Sequence, residues 1–434
     1  MNVTEARAQV VRPAVNDWRV LRVFIGDRDF NRGAISMSAA LRNLPLDAPR
    51  TAQGVLAQVN TLVGQLRARA PETERLRRMH PDNLRDLTEA GVFRLAMPTD
   101  VGGYQADEDI VAEVLAQISR GCPSTGWMCT IMVISNLLPA LLADEAADEI
   151  YATPDLRITT TIAPTGQAAT VDGGYRVTGQ WAWNTAGVHS NWLASACVVP
   201  GEEDRGLRVM LMPAAEVEHQ DNWHAAGMAG TATNIVTVGD VFVPEARTIL
   251  VKDLAEGRYS TRRYSRLPYF NRPFVMYINA GSAPALLGMA RGAMDCFMQT
   301  LPARGAITYT AWPKAAEAPL LHHQLAKAQY DLEAAEMFTS RLSALYRGVL
   351  HRPPTIMERT QARGYIGHVA SLSRACVNQL FEASSASHTL LAADIQRYFR
   401  DINVLHQHAA IQPNSGDEAY GRVLAGLDPN SEIV

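Results

Sequence analysis

The chain has 434 residues, of which 47% are hydrophobic and 19% are charged, and its formal net charge is -4. This length predicts two or three packed units, and the slightly negative charge argues against a nucleic-acid partner. Five cysteines without a CxxC pair argue against a zinc site or a disulfide framework and favour a cytoplasmic protein. Charges interrupt the apolar runs before a membrane span is reached, and the N-terminus lacks the apolar core of a signal peptide.

The first part of the chain divides into an extension and a helical domain. Residues 1–50 have no sustained periodicity, and we treat them as an N-terminal extension of unknown role. Residues 51–155 repeat apolar side chains at spacings of three and four, as in "GVLAQVNTLVGQLRARA". This spacing predicts an N-terminal α-helical domain.

The spacing of the apolar residues then changes to two and later returns to the helical spacing of three and four. Residues 156–255 alternate polar and apolar side chains around turn residues such as Asp172 and Gly173, which predicts a β domain. Residues 256–434 contain four long amphipathic segments, the last one running through "DIQRYFRDINVLHQHAAIQ". Four such segments in a row predict a helical bundle. The predicted fold class is therefore α+β.

One strand-like stretch, "VTGQWAWNTAGVHSNWLASACVV" at 177–199, carries three of the seven tryptophans, Trp181, Trp183 and Trp192. Alternation along a strand predicts that Trp181 and Trp183 share a face, and that Thr185 shares it too. Large aromatic residues favour strands, so the indoles could simply fill the core of the β domain. The pattern alone leaves open whether one of them faces a ligand.

The order of helices, small β domain and helical bundle resembles the acyl-CoA dehydrogenase superfamily. The segments "GVFRLAMPTDVGGY", "GCPSTGW", "DGGYRVTGQWAWNT", "VGDVFVPEAR" and "RDINV" resemble its motifs in the expected order, over roughly residues 60–434. The resemblance implies a central β-barrel-like domain and a C-terminal four-helix bundle. It also implies that a flavin lies on Trp183, with Thr185 at its N5 and with Thr160 and Thr161 among its contacts.

A dehydrogenase of this superfamily needs a carboxylate base, and neither usual position supplies one. In the resemblance one base would follow the Arg-Asp motif of "RDINV" at a position that Ala409 occupies here. The other would lie on the first helix of the bundle, but no Asp or Glu lies between Glu256 and Asp295. Asp417 and Glu418 follow in what looks like a solvated loop. The segment instead resembles that of two-component flavin monooxygenases, such as the 4-hydroxyphenylacetate and steroid-phenol hydroxylases and the aminosugar nitrososynthases.

This second resemblance implies the oxygenase component of a two-component system. Reduced flavin, FMNH2 or FADH2, would come from a separate NAD(P)H:flavin reductase and react with O2 to give a C4a-hydroperoxyflavin. That species would hydroxylate an aromatic or amino-bearing small molecule of specialised metabolism. His408 is expected to contact the substrate and accept its proton, Thr185 to hold N5, and His406 to be a surface or helix-end residue. The alternatives are an acyl-CoA dehydrogenase or oxidase with an atypical base, and a binding protein without activity.

The predicted substrate contacts besides His408 lie on the apolar segment "WMCTIMVISNLL". They are Trp127, Ser135 and Asn136. Ser135 stands where some phenol hydroxylases carry a substrate histidine, which argues against a simple phenol. A buried Asn needs hydrogen-bond partners, so a core hydrogen bond is an equal alternative for Asn136.

Two further features suggest cofactor contacts. The segment "EGRYSTRRYSRLPYFNRP" contains five arginines, and Arg263 is expected to bind the flavin phosphate unless the segment is a solvated loop. Gln324 lies in a segment resembling one that approaches the flavin of a neighbouring subunit, which implies a homotetramer. No His and Glu residues have metal-ligand spacing, and no GxGxxG follows a predicted strand, so neither a metal nor a nicotinamide site is expected.

Overall fold

The computed structural model describes residues 51–431 and 434, so the predicted extension lies outside the described residues. The described part begins with five helices. They are α1 (Ala52–Leu76), α2 (Pro81–Glu89), α3 (Glu108–Gly121), α4 (Pro123–Ser135) and α5 (Asp144–Tyr151). The expectation that charges interrupt every apolar run is wrong for Pro123–Leu141, which is long and apolar enough to cross a membrane, although 94% of its most apolar window is buried inside the protein. It is therefore the central helix of this region.

Seven strands form one sheet in the middle of the chain. They are β1 (Ile158–Val171), β2 (Gly174–Asn184), β3 (Trp192–Val198), β4 (Arg208–Pro213), β5 (Glu218–Gln220), β6 (Asn234–Pro244) and β7 (Thr248–Leu250). Their order is β5-β6-β2-β1-β3-β4-β7, with β1 and β3 parallel and the other pairs antiparallel. Apolar side chains from five of the strands, Trp181 among them, share one buried core.

Three irregularities in the pairing shape the sheet. The β1–β3 register shifts between Thr161 and Gly166, and the β2–β6 register shifts between Val177 and Gly179 and again between Trp181 and Asn184. Gly166 is required because a Cβ there would lie 2.1 Å from the Trp181 ring. Such bulges change the direction of the side chains that follow them. The alternation of buried and exposed side chains at the start of β2 therefore does not continue to its end.

The C-terminal region is helical, as predicted. Its helices are α6 (Val251–Glu256), α7 (Phe274–Thr300), α8 (Pro319–Arg347), α9 (Ile356–Glu382), α10 (Asp394–Leu405) and α11 (Pro413–Leu424). Helices α7 to α10 pack together, α11 packs on α9, and α7 also packs on α3. The α+β class with a C-terminal bundle is therefore confirmed.

The predicted end of the fourth helical segment is wrong. Helix α10 ends at Leu405, so His408 lies in the connection to α11 and not on a helix. Asp417 and Glu418, expected in a loop, lie on α11, which starts with Pro413 at its first turn. Proline is favoured there because its missing N–H would have no partner within the helix.

Candidate active site

The three tryptophans of the strand-like stretch have two different roles. Trp181 is fully buried and donates its indole N–H to the carbonyl of Ala196 at 2.9 Å, and Trp192 donates to Oγ1 of Thr153 at 2.9 Å. Both fill the core. Trp183 is 67% exposed and has a left-handed backbone with φ of 60°. The prediction that Trp181 and Trp183 share a face is therefore wrong, because the left-handed residue and the register shift turn the strand.

Thr185 follows this turn and is buried. Its carbonyl accepts a hydrogen bond from Oγ1 of Thr159 at 2.5 Å, and its own Oγ1 lies 2.9 Å from Oγ1 of Thr233. An exposed indole and a buried hydroxyl therefore stand two residues apart at the end of β2. A hydroxyl oxygen has two lone pairs and one proton, so the contact with Thr233 leaves Thr185 capacity for a second partner.

Thr160 and Thr161 point to opposite faces of β1, as successive strand residues do. The Thr161 hydroxyl is buried and accepts from Nδ2 of Asn184 at 2.9 Å. Thr160 is partly exposed, and its hydroxyl lies 2.7 Å from that of Ser135 at the end of α4. Of the two threonines, Thr160 has exposed surface that a ligand could reach, whereas Thr161 supports Asn184. Ser135 is buried, and its substrate contact stays a prediction.

The substrate role predicted for Asn136 is not supported by its contacts. Its Nδ2 donates to the carbonyls of Phe93 and Leu156, both at 2.8 Å, and its Oδ1 accepts from the Ile158 amide at 2.9 Å. The side chain is fully buried. It joins α4 to the start of β1, which is the core hydrogen bonding that the sequence left as the alternative.

His408 lies against Trp127, the buried indole of α4. The ring centroids are 5.2 Å apart and the rings are inclined at 72°, an edge-to-face pair. Burial and then the Arg363 guanidinium lower the pKa of His408 to about 4. The imidazole is therefore neutral at physiological pH, and its pKa lies well below the near-neutral value that suits a proton acceptor.

The hydrogen bond to His408 Nδ1 determines which nitrogen carries the proton. Nδ1 accepts from the backbone N–H of Ala410 at 3.2 Å. A neutral imidazole has one donor and one acceptor nitrogen, so Nε2 carries the hydrogen. Nε2 can then donate to a ligand but cannot accept a proton from it. The structure favours a donor role for His408 and argues against the predicted acceptor role.

Arg363, which no sequence pattern indicated, holds the connection that carries His408. This buried side chain of α9 donates to the carbonyls of Ala409 at 2.5 Å and Ala410 at 2.7 Å, and to Oγ of Ser415 at 2.9 Å. Three donors in one planar group fix the loop more firmly than a lysine could. No sequence signal separates this arginine from the others on the helices.

The turn that follows β5 and leads into β6 was not among the predicted site segments. Thr231 and Thr233 are buried there, with their hydroxyls 2.6 Å apart, and Thr233 reaches Thr185. Gly230 of this turn lies so close to α4 that an added Cβ would approach Cβ of Ser124 to 3.0 Å. Helix α4 therefore connects the Thr185 region to the Trp127–His408 pair. The alternating threonines in "GTATN" were the available signal.

Comparison with known proteins agrees with this architecture. Residues 280–413 match the family model described as acyl-CoA dehydrogenase, C-terminal domain. The chain is 33% identical over 395 residues to a pigment production hydroxylase of Rhodococcus, covering 90% of this chain and 100% of the relative. It is 32% identical to the flavin-dependent monooxygenase oxygenase subunit HsaA of Mycobacterium tuberculosis, covering 89% and 98%. The structure of XiaF from Streptomyces with FADH2 and glycerol superposes with a TM-score of 0.82 at 26% identity, covering 92% and 99%.

The chain belongs to the oxygenase components of the two-component flavin-dependent monooxygenases. This branch of the acyl-CoA dehydrogenase superfamily uses reduced flavin and O2 and depends on a separate flavin reductase. The family predicted from the sequence is confirmed.

The carboxylates nearest in sequence to the two base positions of a dehydrogenase are not suited to that role. Asp295 on α7 is held by Arg120, at 2.6 and 2.7 Å, and by Arg67 at 3.0 Å, and these hydrogen bonds lower its pKa despite burial. Asp417 and Glu418 are exposed on α11. A carboxylate paired with two guanidinium groups is a poor proton acceptor.

The residues at the end of β2 fit a flavin. Trp183 offers an uncovered indole on which a planar ring can stack. Two residues further on, Thr185 offers a buried hydroxyl oxygen with an unused lone pair. An aromatic face and a polar atom at the same end of a strand suit a fused ring with one reactive nitrogen.

Three other predicted residues lie apart from these contacts. Arg263 is bound to Asp148 at 2.6 Å and 2.9 Å on an exposed surface, so its charge is already paired and a phosphate role is not supported. His406 is the C-cap residue directly after α10 and is buried, so it is a helix-end residue but not a surface one. Gln324 is partly exposed near the start of α8, where its predicted approach to a neighbouring flavin stays a prediction.

Proposed function

We propose that this oxygenase component hydroxylates a small aromatic or amino-bearing molecule held between the end of β2 and the connection from α10 to α11. One observation carries the proposal. The neutral His408 lies against the buried indole of Trp127 on α4, and the same helix lies close to the turn whose Thr233 contacts the buried hydroxyl of Thr185. Bound reduced flavin would supply the activation of O2. Trp183 and Thr185 would hold it, with Thr160 nearby.

The substrate is expected to lie against the edge-to-face pair of Trp127 and His408. Because Nε2 of His408 carries the hydrogen, it would donate to an oxygen of the substrate, either a phenol or its anion. A hydrogen bond to an anionic oxygen is about twice as strong as one between neutral groups. His408 would therefore stabilise the electron-rich form of the ring that is attacked by the electrophilic oxygen.

Ser135 would line the other side of the substrate region. Its hydroxyl shares one hydrogen bond with Thr160, so it can offer either a proton or a lone pair to a ligand. A serine leaves more room than the histidine that some phenol hydroxylases carry there. We therefore propose a substrate larger than a simple phenol.

Exposed side chains on α8 support the predicted homotetramer. Tyr330 and Met337 are both more than 60% exposed and lie seven residues apart, on one face of the helix. Gln324 lies on the same helix but about 120° around its axis from this face, so its approach to a neighbouring flavin is a separate part of the proposal. Sedimentation of wild type and of Tyr330→Lys tests this, and a wild-type monomer would contradict it.

The partner we propose is an NAD(P)H:flavin reductase, and the location is the cytoplasm. The five cysteines are all buried thiols, which suits a reducing compartment. Purified protein should leave NADH unoxidised. With chemically reduced FMN or FAD it should consume O2 and convert a phenolic substrate. NADH oxidation by protein free of reductase, or turnover of an acyl-CoA with an artificial electron acceptor, would contradict the proposal.

A further inference from the structure

A chain of three buried hydroxyls runs from Thr185 into the turn after β5. Oγ1 of Thr185 lies 2.9 Å from Oγ1 of Thr233, which lies 2.6 Å from Oγ1 of Thr231. The last hydroxyl lies 2.8 Å from the carbonyl oxygen of Met228. All three threonines are buried. The chain therefore ends on a backbone acceptor in the protein interior.

The carbonyl fixes the direction of every proton in this chain. A carbonyl oxygen only accepts, so Thr231 must use its single proton on Met228. Thr233 must then donate to Thr231, and Thr185 must donate to Thr233. This is the one arrangement that satisfies all three contacts. It leaves Thr185 with an unused lone pair and no unused proton.

The acceptor at the end of the chain is held from several sides. Met228 has a left-handed backbone with φ of 52°, and its N–H donates to the buried Asp401 at 2.5 Å. The indole N–H of Trp223 also donates to the Met228 carbonyl at 2.9 Å. At the other end, the Thr231 carbonyl accepts from the Ala186 amide at 3.1 Å. Neither end of the chain can turn without breaking these contacts.

We propose that Thr231 and Thr233 are positioning residues that make Thr185 an acceptor and thereby select reduced over oxidised flavin. The inference rests on the proposed function, which brings N5 of the flavin to Thr185. N5 of reduced flavin carries a hydrogen that Thr185 can accept. N5 of oxidised flavin has a lone pair, which would face the lone pair of the Thr185 oxygen.

Oxidised flavin could be accommodated only by reversal of all three protons. Thr185 would then donate to N5, Thr233 to Thr185 and Thr231 to Thr233, leaving the Met228 carbonyl facing an oxygen at 2.8 Å without a proton between them. One net hydrogen bond is lost in either arrangement. Such a loss corresponds to about a fivefold change in an equilibrium constant.

The test is the ratio of the dissociation constants of oxidised and reduced flavin, measured anaerobically by titration. Thr233→Val keeps the shape but cannot accept, so the proton of Thr185 becomes free to meet oxidised N5. The ratio should fall about fivefold, which is about 20 mV in the two-electron potential of the bound flavin. Thr233→Ser keeps the hydroxyl and should keep the wild-type ratio. Equal ratios in wild type and Thr233→Val would overturn the inference.

Two further variants separate this inference from the proposed function. Thr231→Val frees the proton of Thr233 and should lower the ratio, with Thr231→Ser as its control. Thr185→Val should weaken the binding of reduced flavin about fivefold. If Thr185→Val leaves both affinities unchanged, N5 does not meet Thr185 and that part of the proposed function fails. If only the Thr231 and Thr233 variants have no effect, the inference alone fails.

Discussion

The chain of hydroxyls that starts at Thr185 ends at a backbone carbonyl oxygen, whereas Nδ1 of His408 accepts a hydrogen bond from a backbone N–H. Because the Met228 carbonyl can only accept, each hydroxyl donates toward it, and Thr185 is left with a free lone pair as an acceptor. The N–H of Ala410 occupies Nδ1 and leaves His408 as a donor at Nε2. In each region a single backbone group therefore determines whether the neutral side chain donates or accepts a hydrogen bond toward a ligand.

The difference assigns separate tasks to the two regions. Neither side chain carries a charge that water or salt would screen, and burial lowers the pKa of His408 well below neutrality. An acceptor suits a flavin nitrogen that carries hydrogen, and a donor suits the oxygen of a phenol. Each of the two side chains, Thr185 and His408, can be tested with two substitutions. One removes the hydrogen-bonding group, and the other restores only its acceptor or donor capacity.

Removal of the donor at His408 should have the largest effect. His408→Ala loses a hydrogen bond to an oxygen that bears charge during reaction, so kcat/KM should fall about 30-fold to 100-fold. His408→Gln places an N–H near the position of Nε2 and should recover most of the loss. His406→Ala should change kcat/KM less than twofold. If His408→Gln is as impaired as His408→Ala, a proton-accepting role for the imidazole is the better explanation.

The lowered pKa of His408 predicts an acid-sensitive contribution to stability. An unfolded histidine titrates near 6.5 and the folded one near 4, so the unfolded state binds more protons between these values. The free energy of unfolding should therefore fall as pH drops from 6.5 to 4, by about 2 kcal/mol at pH 5 from this group. Denaturant unfolding at pH 5 and pH 8 should show that loss in wild type and less of it in His408→Gln. An equal loss in both would refute the assignment.

Removal of the acceptor at Thr185 should act on coupling. Thr185→Val deletes the oxygen that would meet N5, and a change of about 1.4 kcal/mol would raise the ratio of H2O2 released to product formed about tenfold. Thr185→Ser keeps the oxygen and should remain near wild type. Peroxide and product are measured together in the presence of reduced flavin and O2. A Val variant as well coupled as wild type would mean that another group holds N5.

The sequence was sufficient for the fold class because its signals are local. Apolar spacing changes from the helical value to two and back, and β1 begins at Ile158, close to the first change. The core role of Trp181 was among the stated alternatives for the same reason. Alternation failed at Trp183 because a left-handed residue there reverses the pattern, and no local property of tryptophan predicts that conformation.

The candidate site was less predictable because its contacts join distant segments. Thr185 meets Thr233, His408 meets Trp127, and Arg363 meets Ala409, each pair being separated by 46 residues or more. The family resemblance supplied Thr185 and His408, but it could not supply the direction of their protons. That direction depends on which backbone group stands behind each side chain, and this follows only from the folded chain.

The smallest effect should come from the group that supports His408 from behind. Arg363→Lys keeps the charge but cannot bridge two carbonyls and a hydroxyl, so the connection should loosen and kcat/KM should fall about fivefold. Arg263→Lys is the matched control, because that arginine is exposed and paired with Asp148. Exposed pairs contribute little, so its kcat/KM and its flavin affinity should stay within twofold of wild type. Equal losses in the two variants would mean that His408 does not depend on Arg363 for its position.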